Sequence, residues 1–113
     1  AVATTAGDLP ARRVIHTVGP IWRGGANGEP ELLASAYRSS LGVARDEGLR
    51  TVAFPSISTG AYGYPTDQAA EITLRTVKET IETNPGVFDE VRFVLFSEAD
   101  YETYRGVAER LVR

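Results

Sequence analysis

The sequence predicts an α/β domain in three layers, with helices packed on a largely parallel sheet. Three observations carry this: short β-branched or continuously apolar runs alternate with longer stretches of helical periodicity; Gly and Pro clusters separate them; and the order is strand, strand, helix, strand, helix, strand, helix. The chain has 113 residues, enough for one domain, and 42% of them are hydrophobic, enough to supply a core.

Val2 to Thr5 is a short first strand. Val14 to Val18 is a β-branched run stopped by Gly19-Pro20, and Thr51 to Ile57 is a second such run. Both read as buried strands. Glu90 to Ser97 carries Val91, Phe93, Val94, Leu95 and Phe96, which predicts a central strand covered on both faces. Glu31 to Glu47 places Leu33, Tyr37, Leu41 and Ala44 on one helical stripe, with Gly48 positioned as a left-handed C-terminal cap. Thr66 to Thr83 does the same with Ala70, Leu74, Val77 and Ile81. Thr66 is the expected N-cap there, and Asp67 lies in the positively polarised first turn. Ser97 and Asp100 have capping-box spacing ahead of a helix expected to bury Tyr101, Tyr104, Ala108 and Leu111.

Composition narrows the chemistry. Fifteen acidic and twelve basic residues give a net charge of −3, and the charges are interspersed, which argues against an electrostatic nucleic-acid binder. Without cysteine there is no thiolate metal site or cysteine nucleophile, and a single histidine forms no His-His motif, so metal and cofactor chemistry are not expected. No apolar run is long enough to cross a bilayer, and Ala1 to Gly7 lacks a signal-type pattern; the expectation is a cytoplasmic protein without membrane partners.

Ligands of open α/β sheets sit beyond the carboxyl ends of strands, where loops enter helices. One such loop stands out: Pro55 to Pro65, PSISTGAYGYP. Gly60 and Gly63 allow positive φ and close backbone approach, and successive free N–H groups form a nest for an anion such as a phosphate or diphosphate. The following helix N-terminus adds positive potential. Tyr62 and Tyr64 offer flat surfaces for a sugar or base. The loop is neither a Walker A motif nor G-x-G-x-x-G, so by itself it also fits a plain connector. Phe96 fits either a core position or a stacking platform at the same sheet edge. His16 and Trp22 read as structural, Arg12-Arg13 as solvated charges, and Glu71, Glu79, Glu82 and Glu98 as surface or helix-start carboxylates. No catalytic residue emerges.

The segments VIHTVGPIW (Val14 to Trp22), FPSISTGAYGYP (Phe54 to Pro65) and VLFSEADYETY (Val94 to Tyr104) resemble the macrodomain family, and most closely its MacroD-type branch. Members of that branch remove ADP-ribose from proteins or deacetylate O-acetyl-ADP-ribose. The resemblance implies an ADP-ribose site made from Pro55, Ser56, Ser58, Thr59, Gly60, Ala61, Tyr62, Gly63 and Phe96. The Ser58 to Gly63 backbone would wrap the diphosphate, Tyr62 would lie by the distal ribose, and Phe96 would stack on adenine. Water would attack the distal ribose with assistance from the substrate, without a metal. The resemblance also implies a departure: residues 1–113 form a single partial macrodomain, a three-layer α/β/α mixed sheet lacking the family's N-terminal strands, helix and catalytic Gly-rich loop. A gap is then expected between the Thr51 to Ile57 and Val14 to Val18 strands, because a family strand lies between them. A complementing N-terminal segment would be a partner.

Overall fold

A computed structural model describes residues 1–111. Its elements are β1 (Val2–Thr5), β2 (Arg13–His16), α1 (Glu29–Asp46), β3 (Thr51–Phe54), α2 (Thr66–Thr83), β4 (Glu90–Phe93) and α3 (Glu98–Leu111), in the expected order. Among the described residues none of the helices is long and apolar enough to cross a membrane.

The strands form two separate pairs. β1 and β2 are antiparallel, with Val2 opposite His16 and Thr5 opposite Arg13, while β3 and β4 are parallel, with Phe54 opposite Phe93. β2 and β3 are not hydrogen-bonded to one another, so the strands do not form one continuous sheet. Both strand pairs share α1: its Leu33, Tyr37 and Leu41 are fully buried with Phe54, Ala69 and Val77, and its length also meets β1 and β2. α2 packs between α1 and α3. A second cluster joins Ala70 of α2 to Tyr104 and Val107 of α3, with Phe93 and Leu95 packed against it. Four aromatic rings link the clusters: Tyr37 meets Phe54 edge-on at 5.0 Å, Phe54 stacks on Phe93 at 5.9 Å, and Phe93 tilts onto Tyr104 at 5.9 Å.

The helices cover one face of β3 and β4, and this changes several expectations. β4 alternates instead of being buried throughout: Val91, Phe93 and Leu95 turn inward, whereas Arg92, Val94 and Phe96 are exposed. No described element lies on their side. β2 ends at His16, and Val18 beyond it is 81% exposed, so Val14 to Val18 is not a buried strand. β3 stops at Phe54 because Pro55 has no N–H for the ladder; one further bond, from the Val94 N–H to the Phe54 carbonyl, ends the pairing.

The Leu33–Tyr37–Leu41–Ala44 stripe is wholly buried, and α1 ends in a Schellman motif. Gly48, at φ 72°, donates to the Arg45 carbonyl and Leu49 donates to that of Ala44. α1 starts at Glu29, two residues earlier than expected, because Pro30 is compatible with a first helical turn. α2 has the expected bounds, but its N-cap is Pro65, and Thr66 makes no capping bond. Ile81 of α2 is exposed. The Ser97 Oγ accepts the Asp100 N–H at 3.1 Å, as expected of a cap. α3 buries Tyr104 and Val107, leaving Ala108 and Leu111 half-buried and Tyr101 55% exposed, a buried stripe shifted from the one the spacing suggested.

Candidate functional site

Parallel pairing sends the exits of β3 and β4 to the same sheet edge, so the glycine loop and Phe96 share that edge. The loop is held from three sides. From α1, the buried Tyr37 hydroxyl accepts the Ile57 N–H at 3.0 Å and donates to the Pro55 carbonyl at 3.3 Å; burial pushes this phenol well above its ordinary pKa. From α3, the Tyr104 hydroxyl bonds Ser56 Oγ at 2.7 Å, while Thr59 Oγ1 donates to the same Ser56 Oγ at 2.8 Å. The third hold is the strap of residues 17–28 between β2 and α1. Its Trp22 N–H donates to the Tyr62 carbonyl at 2.8 Å, and the Trp22 ring tilts onto that of Tyr64 at 4.6 Å.

Within the loop, Ser58 (φ 67°), Gly60 (φ 25°) and Gly63 (φ 76°) have positive φ. Positive φ at a non-glycine residue stores strain, a feature concentrated at functional sites. The Ser58 and Gly60 carbonyls accept from the N–H groups of Tyr64 and Gly63, and the Tyr62 carbonyl from Trp22. With these carbonyls engaged, the N–H groups of Ser58, Gly60 and Ala61 have no hydrogen-bond acceptor among the described residues. Gly60 to Gly63 are exposed, and α2 begins three residues later. The result is a row of free donors at a helix N-terminus, an arrangement that binds anions. Ser58 Oγ is buried with no partner.

The remaining expected residues fall as follows. Tyr62 is 41% exposed on the loop crest, Tyr64 is buried beneath it, and Phe96 is 98% exposed. Pro55 and Ser56 form the loop's entrance, where they serve as anchors for Tyr37 and Tyr104. His16 sits in the β1–β2 pair with its Nε2 2.9 Å from Thr4 Oγ1, and Glu71 pairs with Arg75 and Arg110. A depression of about 420 Å³ runs beside Tyr62, lined by Gly19, Pro20, Ile21, Arg23 and Leu32 among others. Among the described residues no cluster of three metal-ligating side chains forms.

Two residues escaped the sequence reading. Gly19 packs so closely under the loop that a Cβ there would lie 2.3 Å from Ile57 Cγ2 and Ser58 Oγ. Glu29 is 2% exposed, and its carboxylate collects three strap N–H groups: Arg23 and Gly25 on Oε2, both at 2.9 Å, and Asn27 on Oε1 at 2.6 Å. Burial by itself would raise its pKa, but these N–H bonds outweigh that and hold it at about 2. Only the Gly-rich run ahead of Glu29, a run of N–H groups needing an acceptor, hinted at this.

A parallel strand pair whose exits meet at a glycine loop before a helix N-terminus defines an α/β fold with a candidate anion site. The Macro domain model matches residues 1–73, and the chain belongs to that family. It is 55% identical over 111 residues to a macro domain-containing protein of Caldanaerobacter subterraneus, covering 98% of this chain and 62% of that protein. It is 51% identical over 105 residues to an O-acetyl-ADP-ribose deacetylase of Cronobacter turicensis, covering 93% and 59%. Among solved structures, the Oceanobacillus iheyensis macrodomain with ADP is similar at TM-score 0.92 and 42% identity, covering 98% of this chain and 57% of that one. The Trypanosoma brucei macrodomain in complex with ADP-ribose is similar at 0.83 and 39%, covering 98% and 44%. The chain thus spans about three-fifths of the length of the curated relatives it matches.

Proposed function

We propose that this chain supplies the diphosphate loop and adenine platform of an ADP-ribose site, in a domain that hydrolyses ADP-ribose from modified proteins or deacetylates O-acetyl-ADP-ribose. The observation that carries the reading is the row of free N–H groups at Ser58, Gly60 and Ala61, backed by the α2 N-terminus. These donors are fixed before the ligand arrives, so they would neutralise the diphosphate and fix the distal ribose beside Tyr62 with little reorganisation. Phe96, exposed at the same edge, is the stacking surface for adenine. The deacetylase relative and the ADP- and ADP-ribose-bound structures support this ligand class.

The interrupted sheet adds a structural element to the reading. Buried backbone N–H and C=O groups require partners. A strand seated between β2 and β3 would join the two pairs into one mixed sheet, and we assign that place to a complementing macrodomain segment. The catalytic group belongs with it, since residues 55–65 of the loop include no acid–base pair. That same lack favours a second reading, a module that binds ADP-ribose without hydrolysing it.

Isothermal titration of the chain with ADP-ribose, with AMP as the control, tests the proposal. Selective binding of ADP-ribose, abolished by Gly60→Glu, is the expected result; for a chain that binds only when the complementing segment is added, the same substitution abolishes the restored binding. Unchanged affinity in Gly60→Glu refutes the loop assignment. Turnover of O-acetyl-ADP-ribose by the completed domain separates enzyme from reader.

A further inference from the structure

We infer that Glu29 is the positioning residue of the glycine loop: its buried carboxylate pins the strap whose Trp22 holds Tyr62 and Tyr64 in place. The inference rests on the ADP-ribose reading for its effect on affinity, but its structural half is independent of any ligand.

Three strap N–H groups, those of Arg23, Gly25 and Asn27, converge on one carboxylate at 2.6–2.9 Å. Gly24, Gly25 and Gly28 all have positive φ, a path that gives the strap few intrinsic reasons to hold one shape. Glu29 supplies the missing constraint, because an ionised carboxylate accepts all three bonds at once and a charge-assisted bond is about twice as strong as a neutral one. Trp22, one residue before this pinned segment, then acts at two points, through its N–H on the Tyr62 carbonyl and its ring on Tyr64. Gly25 lies against that ring: a Cβ there would sit 2.7 Å from Trp22 Cη2. Glu29 therefore reaches the loop crest without touching a ligand. A helix-capping role alone would end at α1; the bonds to the strap carry its influence to the loop.

Trp22 is the single tryptophan, so its emission reports directly on the strap. In Glu29→Gln the carboxamide offers one acceptor atom and turns an NH₂ group toward a former donor, so the three bonds cannot all persist. The expected result is a red-shifted, more quenchable Trp22 emission in protein whose far-UV circular dichroism is unchanged, with ADP-ribose affinity about three- to tenfold weaker. Glu29→Asp, which keeps the charge but draws the carboxylate back by one methylene from the three N–H groups, is expected to give the same emission change and the same direction of affinity loss, and it serves if Glu29→Gln does not fold. Folded variants with wild-type emission and affinity overturn the inference. If wild-type protein does not bind ADP-ribose even when complemented, the ligand reading fails, and the emission result still decides the positioning role.

Discussion

Replacing Tyr37 with Phe removes one oxygen atom from a fully buried ring and tests how the glycine loop is anchored. The Phe ring keeps the edge contact with Phe54 at 5.0 Å, so packing is preserved. Two loop groups lose their partner: the Ile57 N–H, bonded at 3.0 Å, and the Pro55 carbonyl, bonded at 3.3 Å. The longer bond contributes less, and the site is partly buried, so the cost falls in the lower part of the range for an orphaned donor, about 1–2 kcal/mol. At about 4 °C per kcal/mol for a domain near this size, Tm drops by about 4–8 °C. Thermal denaturation followed by circular dichroism measures this, and titration with ADP-ribose measures the accompanying loosening of the loop. A second variant, Tyr104→Phe, cuts the separate hydroxyl tie to Ser56 Oγ. The two ties flank the same entrance, so the double variant is expected to be non-additive. A Tyr37→Phe protein melting within about 1 °C of wild type would refute the claim that this hydroxyl anchors the loop.

Three other outcomes follow from the geometry. Gly19→Ala forces a Cβ against Ile57 and Ser58 at 2.3 Å, and an overlap of this kind costs about 1–3 kcal/mol, read as a lowered denaturant midpoint together with weaker ADP-ribose binding. Phe96→Ala leaves Tm unchanged, because the ring is 98% exposed, but weakens ADP-ribose binding; equal loss of stability would mark it instead as a packing residue. Glu29 binds its proton less readily in the folded chain than in the unfolded one, where its pKa is near 4.5, so its stabilising effect is full above that pH and is lost as pH falls toward about 2. Acid titration of wild type against Glu29→Gln should show the stability difference shrinking through that window.

Most of the local order is legible in the sequence because helical stripes and glycine caps depend on neighbours along the chain. Leu33, Tyr37, Leu41 and Ala44 announce their shared burial by spacing, and Gly48 its left-handed cap. The glycine loop is legible for the same reason, since its path needs positive φ at Gly60 and Gly63. The strands are less so. Glu90 to Ser97 is apolar enough for burial on both faces, yet the covering of a strand's second face is decided by elements remote in sequence, and none of the described ones lies over Val94 and Phe96. Glu29 was missed because a glutamate at a helix start is ordinarily solvated; its burial depends on a strap closing over it. Gly19 was visible only as a strand breaker, because its contact with Ser58 joins residues 39 positions apart.

The interruption between β2 and β3 also bears on how the chain behaves at high concentration. Paired strands of four residues leave unsatisfied N–H and C=O groups along their outer edges, and such edges template the addition of any extended chain. Two-stranded pairs are marginal by themselves and gain from each strand added. Val2 of β1, Val18 after β2, and Val94 and Phe96 after β4 are each more than 60% exposed, with a modest net charge of −3 to keep copies apart. The strand edge offered to the proposed completing segment would thus equally accept an extended segment of a second copy.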